Sequence, residues 1–172
     1  SWDQPFEAPE HVCSSYDNCH VPWGSTHEKT WHLVKTLPHV SGLFVWTGFD
    51  YLGEPTPYWW PSRSSFFGIV DLAGFPKDVY YMYKSEWTDE PVLHIFPHWN
   101  WKEGEPVDIW AYYNNADEVE LYLNGKSLGV RQKTDSTYHV SWRVPFTPGT
   151  LRAVSRLGGK EVLVKEIHTA GE

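Results

Sequence analysis

Residues 42–81 read GLFVWTGFDYLGEPTPYWWPSRSSFFGIVDLAGFPKDVYY, and this stretch decides how the first half of the chain is interpreted. Its apolar run, Leu43–Trp46, has the length and the residue types of a buried β-strand. The run ends at Thr47-Gly48 and leads into a long loop that is rich in aromatic, Pro, Gly and acidic residues. A buried strand followed by such a loop and then by a helix predicts part of a (β/α) barrel that lines a sugar pocket.

One helix is predicted before this stretch and another at its end. Ser25 and Glu28 have the spacing of a capping box, so we expect a helix over about 26–37. Pro76 suits the first turn of a second helix over about 77–87. The order helix, strand, loop, helix predicts the last helix–strand–helix portion of a barrel. Two helices and one strand cannot close a barrel by themselves.

The second half of the chain has the pattern of an all-β domain. After Pro91 the apolar residues alternate, and Asn124-Gly125 and Gly158-Gly159 supply the positive φ angles of two-residue hairpin turns. Short strands at this spacing predict an immunoglobulin-like β-sandwich. The predicted strand cores are Leu93–Ile95, Val107–Ala111, Val119–Leu123, Tyr138–Val144, Leu151–Val154 and Val162–Ile167. We therefore expect an α+β chain with a partial barrel over residues 1–90 and a sandwich over residues 91–172.

Composition restricts the class of protein. A hydrophobic fraction of 41% supports a packed core, and an aromatic fraction of 17% suits both core packing and carbohydrate stacking. The net charge of −8 comes without any basic run, which argues against a nucleic-acid partner. No apolar run reaches the roughly 18 residues that a membrane span needs. Because the sequence opens at Ser1 without an initiator Met, we expect a segment of a longer protein.

Cys13 and Cys19 share a polar loop with His11 and His20 on either side. Three states stay open for the pair: two thiols, a disulfide or a metal site. A single pair of cysteines with this separation is weak zinc spacing, so the sequence predicts no metal and no other cofactor.

The 42–81 stretch closely resembles the eighth strand and the following loop of glycoside hydrolase family 2 β-galactosidases of the long Bacteroides type. Two later segments, VELYLNGKSLG (Val119–Gly129) and WRVPFTPGTL (Trp142–Leu151), resemble the immunoglobulin-like domain that follows the barrel in these enzymes. The resemblance implies the C-terminal part of a retaining glycosidase that acts on β-galactosides. The two catalytic Glu residues of the family would lie upstream, so we expect no catalytic residue in this chain and no hydrolysis by it alone.

The resemblance also implies which residues bind substrate. Trp46 stands where the family has a Trp that forms a wall of the galactose subsite, with its indole face against the pyranose. Asp50, Tyr51 and Arg63 are further candidates because the loop carries them past the same barrel mouth. Structural roles stay open: Trp46 as a core residue, and Asp50 and Asp71 as acceptors for loop backbone.

A difference from the related β-glucuronidases favours a galactoside over a glucuronide. Those enzymes carry Asn-x-Lys before a Gly, and the charge of the Lys holds the uronate carboxylate. Here the uncharged residues Ser65, Phe66 and Phe67 precede Gly68. A family 2 mannosidase or another neutral-sugar enzyme stays open.

A second class of function is a non-catalytic carbohydrate-binding or adhesion module. It would use aromatic residues of the sandwich, of which Trp110 and Trp142 are expected in the core and Trp99 and Trp101 at an edge or a domain interface. A severed barrel portion also predicts bare apolar surface. We expect residues 1–87 either to dock onto the sandwich or to self-associate through the strand.

Overall fold

The computed structural model describes residues 14–21, 23–55, 58 and 60–171. The chain divides into two compact units on either side of the Tyr80–Tyr81 bond. The helices and strands are α1 (His27–Thr36), α2 (Asp78–Trp87), β1 (Leu93–Phe96), β2 (Pro106–Tyr113), β3 (Glu118–Leu123), β4 (Lys126–Arg131), β5 (His139–Pro145), β6 (Thr150–Leu157) and β7 (Lys160–His168). Within the described residues, no helix is both long enough and apolar enough to cross a membrane.

Helix α1 is confirmed, but its cap differs from the prediction. The N-cap residue is Thr26, and its side chain makes no capping hydrogen bond. Instead the carboxylate of Asp17 accepts both first-turn amides, from His27 N at 2.8 Å and from Glu28 N at 2.7 Å. A carboxylate at this end satisfies two donors that lack helical partners and complements the helix dipole. Ser25 is therefore not the capping residue.

The predicted strand at Leu43–Trp46 is wrong: these residues are not part of any ladder. The side chain of Phe44 is fully exposed, and that of Trp46 is 73% exposed. A strand of a parallel barrel needs a hydrogen-bonded neighbour on each side. No segment in the described part of the chain pairs with these residues, so the apolar run stays extended but unpaired.

Regular pairing begins one residue beyond the predicted strand. Thr47 N donates to Phe67 O at 3.1 Å, and Ile69 N donates back to Thr47 O at 3.0 Å. A short parallel bridge then joins Phe49 to Val70. These bonds tie the first part of the long loop to its last part, so the loop folds back on itself.

The sandwich prediction is confirmed in the second unit. A three-stranded sheet has the order β1-β2-β5, and a four-stranded sheet has the order β4-β3-β6-β7, with every neighbour antiparallel. Both predicted hairpin turns are present. Asn124 and Gly125 join β3 to β4 with φ of 50° and 81°, and Gly158 and Gly159 join β6 to β7 with φ of 56° and 78°.

The core lies between the two sheets and corrects two predictions about tryptophan. Trp142 is in the core as expected. Trp99 is also a core residue, only 1% exposed, with its ring against Phe146 and its Nε1 donating to Thr147 O at 3.0 Å. Trp110 is instead outside the core cluster and stacks on His139, because strand alternation turns it away from Ile109 and Ala111. Trp101 packs against the core from its margin.

The second half of α2 belongs to the same compact unit as the sandwich. The ring of Tyr81 stacks on His94 with centroids 3.8 Å apart, and Glu86 pairs with Lys133 at 3.5 Å. The loop after β2 holds the segment that follows the helix. Asn114 donates to the carbonyl oxygens of residues 88 and 90 and accepts from the amide of residue 92. The division therefore falls inside α2, upstream of the predicted boundary near Glu90-Pro91.

Candidate functional site

The first unit contains a cavity of about 810 Å³. Its described lining comes from three parts of the chain: the segment before α1, the long loop and the turn into α2. Several polar and charged side chains of these parts line it together with aromatic rings: Asp17, His20, His27, Glu54, Lys77, Asp78, Trp23, Trp46, Tyr58, Phe66 and Phe67. A concave surface that combines aromatic faces with a few polar groups is typical of a site for a small organic ligand.

Trp46 lies on the wall of this cavity, as the sequence predicts for a substrate-binding residue. Its indole is exposed and contacts the ring of Tyr51 edge to face, with centroids 6.4 Å apart. The peptide bond that follows Trp46 is cis. An indole that is 73% exposed can offer ring surface for stacking on a sugar.

Tyr51 is linked to the cavity by a hydrogen bond to Glu54, a lining residue that was not among the predicted site residues. Its hydroxyl donates a short hydrogen bond to Oε2 of Glu54, and Glu54 is one of the lining residues. This bond raises the pKa of the Tyr51 phenol, because the neighbouring carboxylate favours its protonated form. Glu54 has a φ of 37° directly after Gly53, so the Gly-Glu-Pro turn is the sequence signal that places it.

Asp50 is buried behind the cavity wall and is absent from the described lining. Its Oδ1 accepts a hydrogen bond from Gly68 N at 2.8 Å, and both carboxylate oxygens contact the ammonium of Lys77. Asp71 likewise accepts from the amides of Ala73 and Phe75. Both carboxylates therefore hold loop backbone, which is the structural role that the sequence left open.

Arg63 is also absent from the described lining. Its guanidinium lies over the ring of Trp60 at 4.9 Å, and its carbonyl oxygen accepts from the amide of Gly53. Of the four predicted substrate-binding residues, Trp46 lines the cavity, and Tyr51 contacts Trp46 without being part of the described lining. Asp50 and Arg63 lie outside the lining.

Lys77 is a cavity residue that sequence reasoning missed. Its position after Pro76 at the start of α2 marks it as the turn residue that enters the helix, and this was the available signal. Its Nζ contacts Asp50 and also donates to Phe66 O at 3.2 Å. Its side chain is 30% exposed and lines the cavity, while its Nζ is held by these contacts.

A pair of titratable side chains, Asp17 and His27, lies near the start of α1. Burial raises the pKa of the Asp17 carboxyl, and hydrogen bonds from the α1 amides act in the opposite direction. Burial lowers the pKa of His27, while the neighbouring Asp17 carboxylate raises it in part. Asp17 thus already serves the helix terminus, which limits what else it can do chemically.

The cysteine pair cannot be assigned from this site. Cys19 and His20 line the cavity, whereas Cys13 and His11 lie outside the described residues. The state of the pair therefore stays a prediction. Among the residues that the structure describes, no three His, Cys, Asp or Glu side chains are grouped so as to hold a metal ion.

Comparison with known proteins shows which proteins the chain is similar to. It is 63% identical over 99% of its length to the β-galactosidase BoGH2A of Bacteroides ovatus, of which it spans 20%. The chain is homologous to a segment of family 2 glycoside hydrolases. A Formosa agariphila protein with a provisional β-glucuronidase assignment is 42% identical over 91% of the chain, which spans 16% of that protein. A crystal structure of a β-glycosidase from Bacteroides vulgatus aligns with a TM-score of 0.84 at 40% identity. This alignment covers 93% of the chain and 20% of the other protein.

The chain therefore spans about a fifth of the length of these family 2 relatives. Within it, residues 104–163 match a family described as a domain of unknown function, DUF4982. This match covers most of the sandwich, from the turn before β2 into β7. The homology and the sandwich confirm the family that the 42–81 stretch and the later hairpin suggested.

Proposed function

We propose that the chain is part of a retaining glycoside hydrolase that acts on β-galactosides. In this proposal it contributes one wall of the sugar pocket and an accessory sandwich. The observation that carries the proposal is the exposed indole of Trp46 on the wall of the 810 Å³ cavity. The high identity to the matching segment of a β-galactosidase supports the same substrate class.

Trp46 would bind sugar through its face. One side of a galactopyranose carries a patch of C–H groups, and such a patch packs against an indole with a favourable apolar and electrostatic contact. The Tyr51 ring, whose hydroxyl is bonded to Glu54, lies perpendicular to this indole. The pair Tyr51–Glu54 also offers a hydroxyl and a carboxylate that could bond sugar hydroxyls at the same wall.

The two catalytic carboxylates would come from upstream of this chain. A retaining glycosidase needs two carboxyl groups about 5 Å apart, one as nucleophile and one as acid/base. The loop acids are already engaged, because Asp50 and Asp71 hold backbone amides and Glu54 accepts from Tyr51. Their engagement supports a chain that positions substrate and leaves the bond-breaking groups to another part of the enzyme.

The cavity wall supports a neutral sugar. Phe66 and Phe67 line the cavity beside Gly68, at the place where the sequence comparison with β-glucuronidases looks for a cation. Two aromatic rings offer a uronate carboxylate no partner, and burying an unpaired carboxylate is costly. The provisional β-glucuronidase among the relatives makes this a point to measure rather than to assume.

The alternative function, a carbohydrate-binding module on the sandwich, relied on four tryptophans, and two of them are unavailable for binding. Trp99 and Trp142 are buried in the core and present no face to a glycan. Trp110 and Trp101 are each stacked on a histidine ring. The remaining aromatic surface of the sandwich is therefore smaller than the sequence suggested.

The test is a substitution in the full-length enzyme. Trp46→Ala should lower kcat/KM for an aryl β-galactoside by roughly tenfold or more, because a lost sugar–aromatic contact costs about 1–3 kcal/mol. Trp60→Ala is the matched control: this indole is equally exposed in the same loop but is outside the described lining. An unchanged kcat/KM for a well-folded Trp46→Ala enzyme would remove the proposed wall.

A further inference from the structure

Lys77 contributes a basic side chain to the lining of a cavity that is proposed to bind a neutral sugar. Among the described residues that line the cavity, it is the one Lys or Arg side chain. An ammonium on the wall of a sugar site would attract a carboxylate on the sugar, since opposite charges a few ångströms apart gain energy even at a protein surface. The neutral aromatic pair Phe66 and Phe67 does not by itself exclude a uronic acid while this cation is available.

The Asp50 carboxylate, which is not part of the described lining, forms an ion pair with that ammonium. The two oxygens of its carboxylate lie 2.9 Å and 2.8 Å from Lys77 Nζ, and a third contact joins the same ammonium to Phe66 O at 3.2 Å. The Asp50 side chain is 7% exposed, whereas that of Lys77 is 30% exposed. The Lys77 side chain is therefore the more exposed member of the pair and lines the cavity, whereas the Asp50 carboxylate is nearly buried and does not.

The backbone holds Asp50 in this place. Its carboxylate also accepts from Gly68 N, and its own amide donates to Val70 O at 2.9 Å. A side chain at position 68 would collide with the backbone of residues 49 and 50, so the two loop strands approach as closely as only a glycine allows. Asp50 therefore cannot move away from Lys77 without breaking the paired part of the loop.

We propose that Asp50 is a specificity-determining residue that masks the charge of Lys77 and so keeps the site selective for neutral sugars over uronic acids. The proposal rests on the proposed function, which supplies the sugar. Asp50 touches no substrate in this role, because it acts through Lys77. The other carboxylates on the described lining, Asp17, Glu54 and Asp78, add negative charge and work in the same direction.

The experiment compares two substrates that differ at one carbon. An aryl β-galactoside and an aryl β-galacturonide differ in having a hydroxymethyl or a carboxylate at C5. In the full-length enzyme, Asp50→Asn keeps the side-chain shape and removes the negative charge. The ratio of kcat/KM for galacturonide to that for galactoside should rise by about fivefold or more at low salt. The rise should shrink at high salt, because salt screens exposed charges.

Two further results separate charge masking from a merely structural role. A structural loss at Asp50 would lower kcat/KM for both substrates together and leave their ratio unchanged, and that result would overturn the proposal. The double variant Asp50→Asn/Lys77→Gln should return the ratio to the wild-type value. A raised ratio that persists without the Lys77 ammonium would likewise overturn it.

The wild-type enzyme gives a measurement that does not depend on folding of the variants. Galacturonate should bind no more tightly than galactose in calorimetry, and added salt should not weaken its binding, because salt screens repulsion as well as attraction. Tighter binding of galacturonate that weakens with salt would show an unmasked cation and overturn the proposal. Because this measurement needs no turnover, an enzyme that hydrolyses no β-galactoside would refute the proposed function and still leave the charge masking open to test.

Discussion

The two units of this chain differ in where their partners lie. Each of the seven strands in the sandwich has a hydrogen-bonded neighbour within the same unit, and both sheets bury their inner faces against each other. Among the described residues, the second unit exposes the large apolar residues Trp87, Val130, Leu157 and Val164. The first unit exposes more of them: Trp23, Leu33, Phe44, Trp46, Phe49, Leu52, Trp60, Leu72 and Phe75. The strands of the sandwich thus find their hydrogen-bonding and packing partners within their own unit. The exposed apolar surface of the first unit indicates packing partners that the described residues do not supply.

The largest effect expected from this contrast is on catalysis. The isolated chain should turn over an aryl β-galactoside at less than about a hundredth of the rate of the full-length enzyme, because nucleophile and acid/base groups account for many orders of magnitude in rate. An assay of both proteins at equal molar concentration measures this. Activity of the chain within a hundredfold of the full-length enzyme would place a catalytic pair inside it.

The next effect is on stability and compares two tryptophans. Trp142 is 4% exposed and donates from Nε1 to Gly129 O at 2.9 Å, so Trp142→Ala should lower the free energy of unfolding of the chain by about 3–5 kcal/mol. Trp60 is 74% exposed in the first unit, and Trp60→Ala should change it by less than about 0.5 kcal/mol. Urea unfolding followed by circular dichroism gives both values. Equal losses would contradict the division into a packed unit and an open one.

A smaller effect is expected for a substitution that destabilises the first unit and leaves the sandwich unchanged. Gly68→Ala would force a Cβ into the backbone of residues 49 and 50 and should destabilise the paired loop by about 1–3 kcal/mol. The control is Gly48→Ala, because a Cβ at that position meets no atom within 4 Å. Limited proteolysis should cut the loop of the Gly68→Ala protein faster and leave the sandwich intact. Faster cleavage of the sandwich as well would show that the two units do not open independently.

The smallest effect concerns an exposed ion pair on the sandwich. Arg143 donates to both oxygens of Asp108 and lowers the pKa of that carboxyl, although its own side chain is 74% exposed. Arg143→Met should therefore cost only about 0.5 kcal/mol at neutral pH. A lowered carboxyl pKa stabilises the fold above the ordinary Asp value of 3.8 and stops doing so as the pH falls below it. The wild-type and variant unfolding curves should thus converge in acid, and a difference that grows in acid would contradict the pairing.

The sequence predicts what is encoded locally. Asn124-Gly125 and Gly158-Gly159 specify their turns within two residues, and the alternating strands around them follow. The strand at Leu43–Trp46 could not be judged in the same way, because its formation depends on neighbours elsewhere. The place of Trp99 depends on contacts with Phe146 and Thr147, which are far away in the sequence.

The candidate site was predicted to a similar extent. The resemblance of the 42–81 stretch singled out Trp46, which lines the cavity, and Tyr51, which contacts Trp46, although the strand expected to carry Trp46 is absent. The ion pair between Lys77 and Asp50 joins residues on opposite sides of the loop, and no spacing rule links them. Asp17 as the cap of α1 is hidden for the same reason, since it lies ten residues before the first amide that it binds. Sequence patterns locate such residues but do not say which of them meet.

Helix α2 affects where the sandwich could be recombined with another domain. Its first residues follow Lys77 in one unit, and in the other unit its later residues Tyr81 and Glu86 contact His94 and Lys133. A recombination point in the polar linker at Glu90-Pro91 would look harmless in the sequence, yet it would separate the sandwich from Met82 and Tyr83, both of them buried. A transferable sandwich should therefore include the second half of α2 as well as the seven strands.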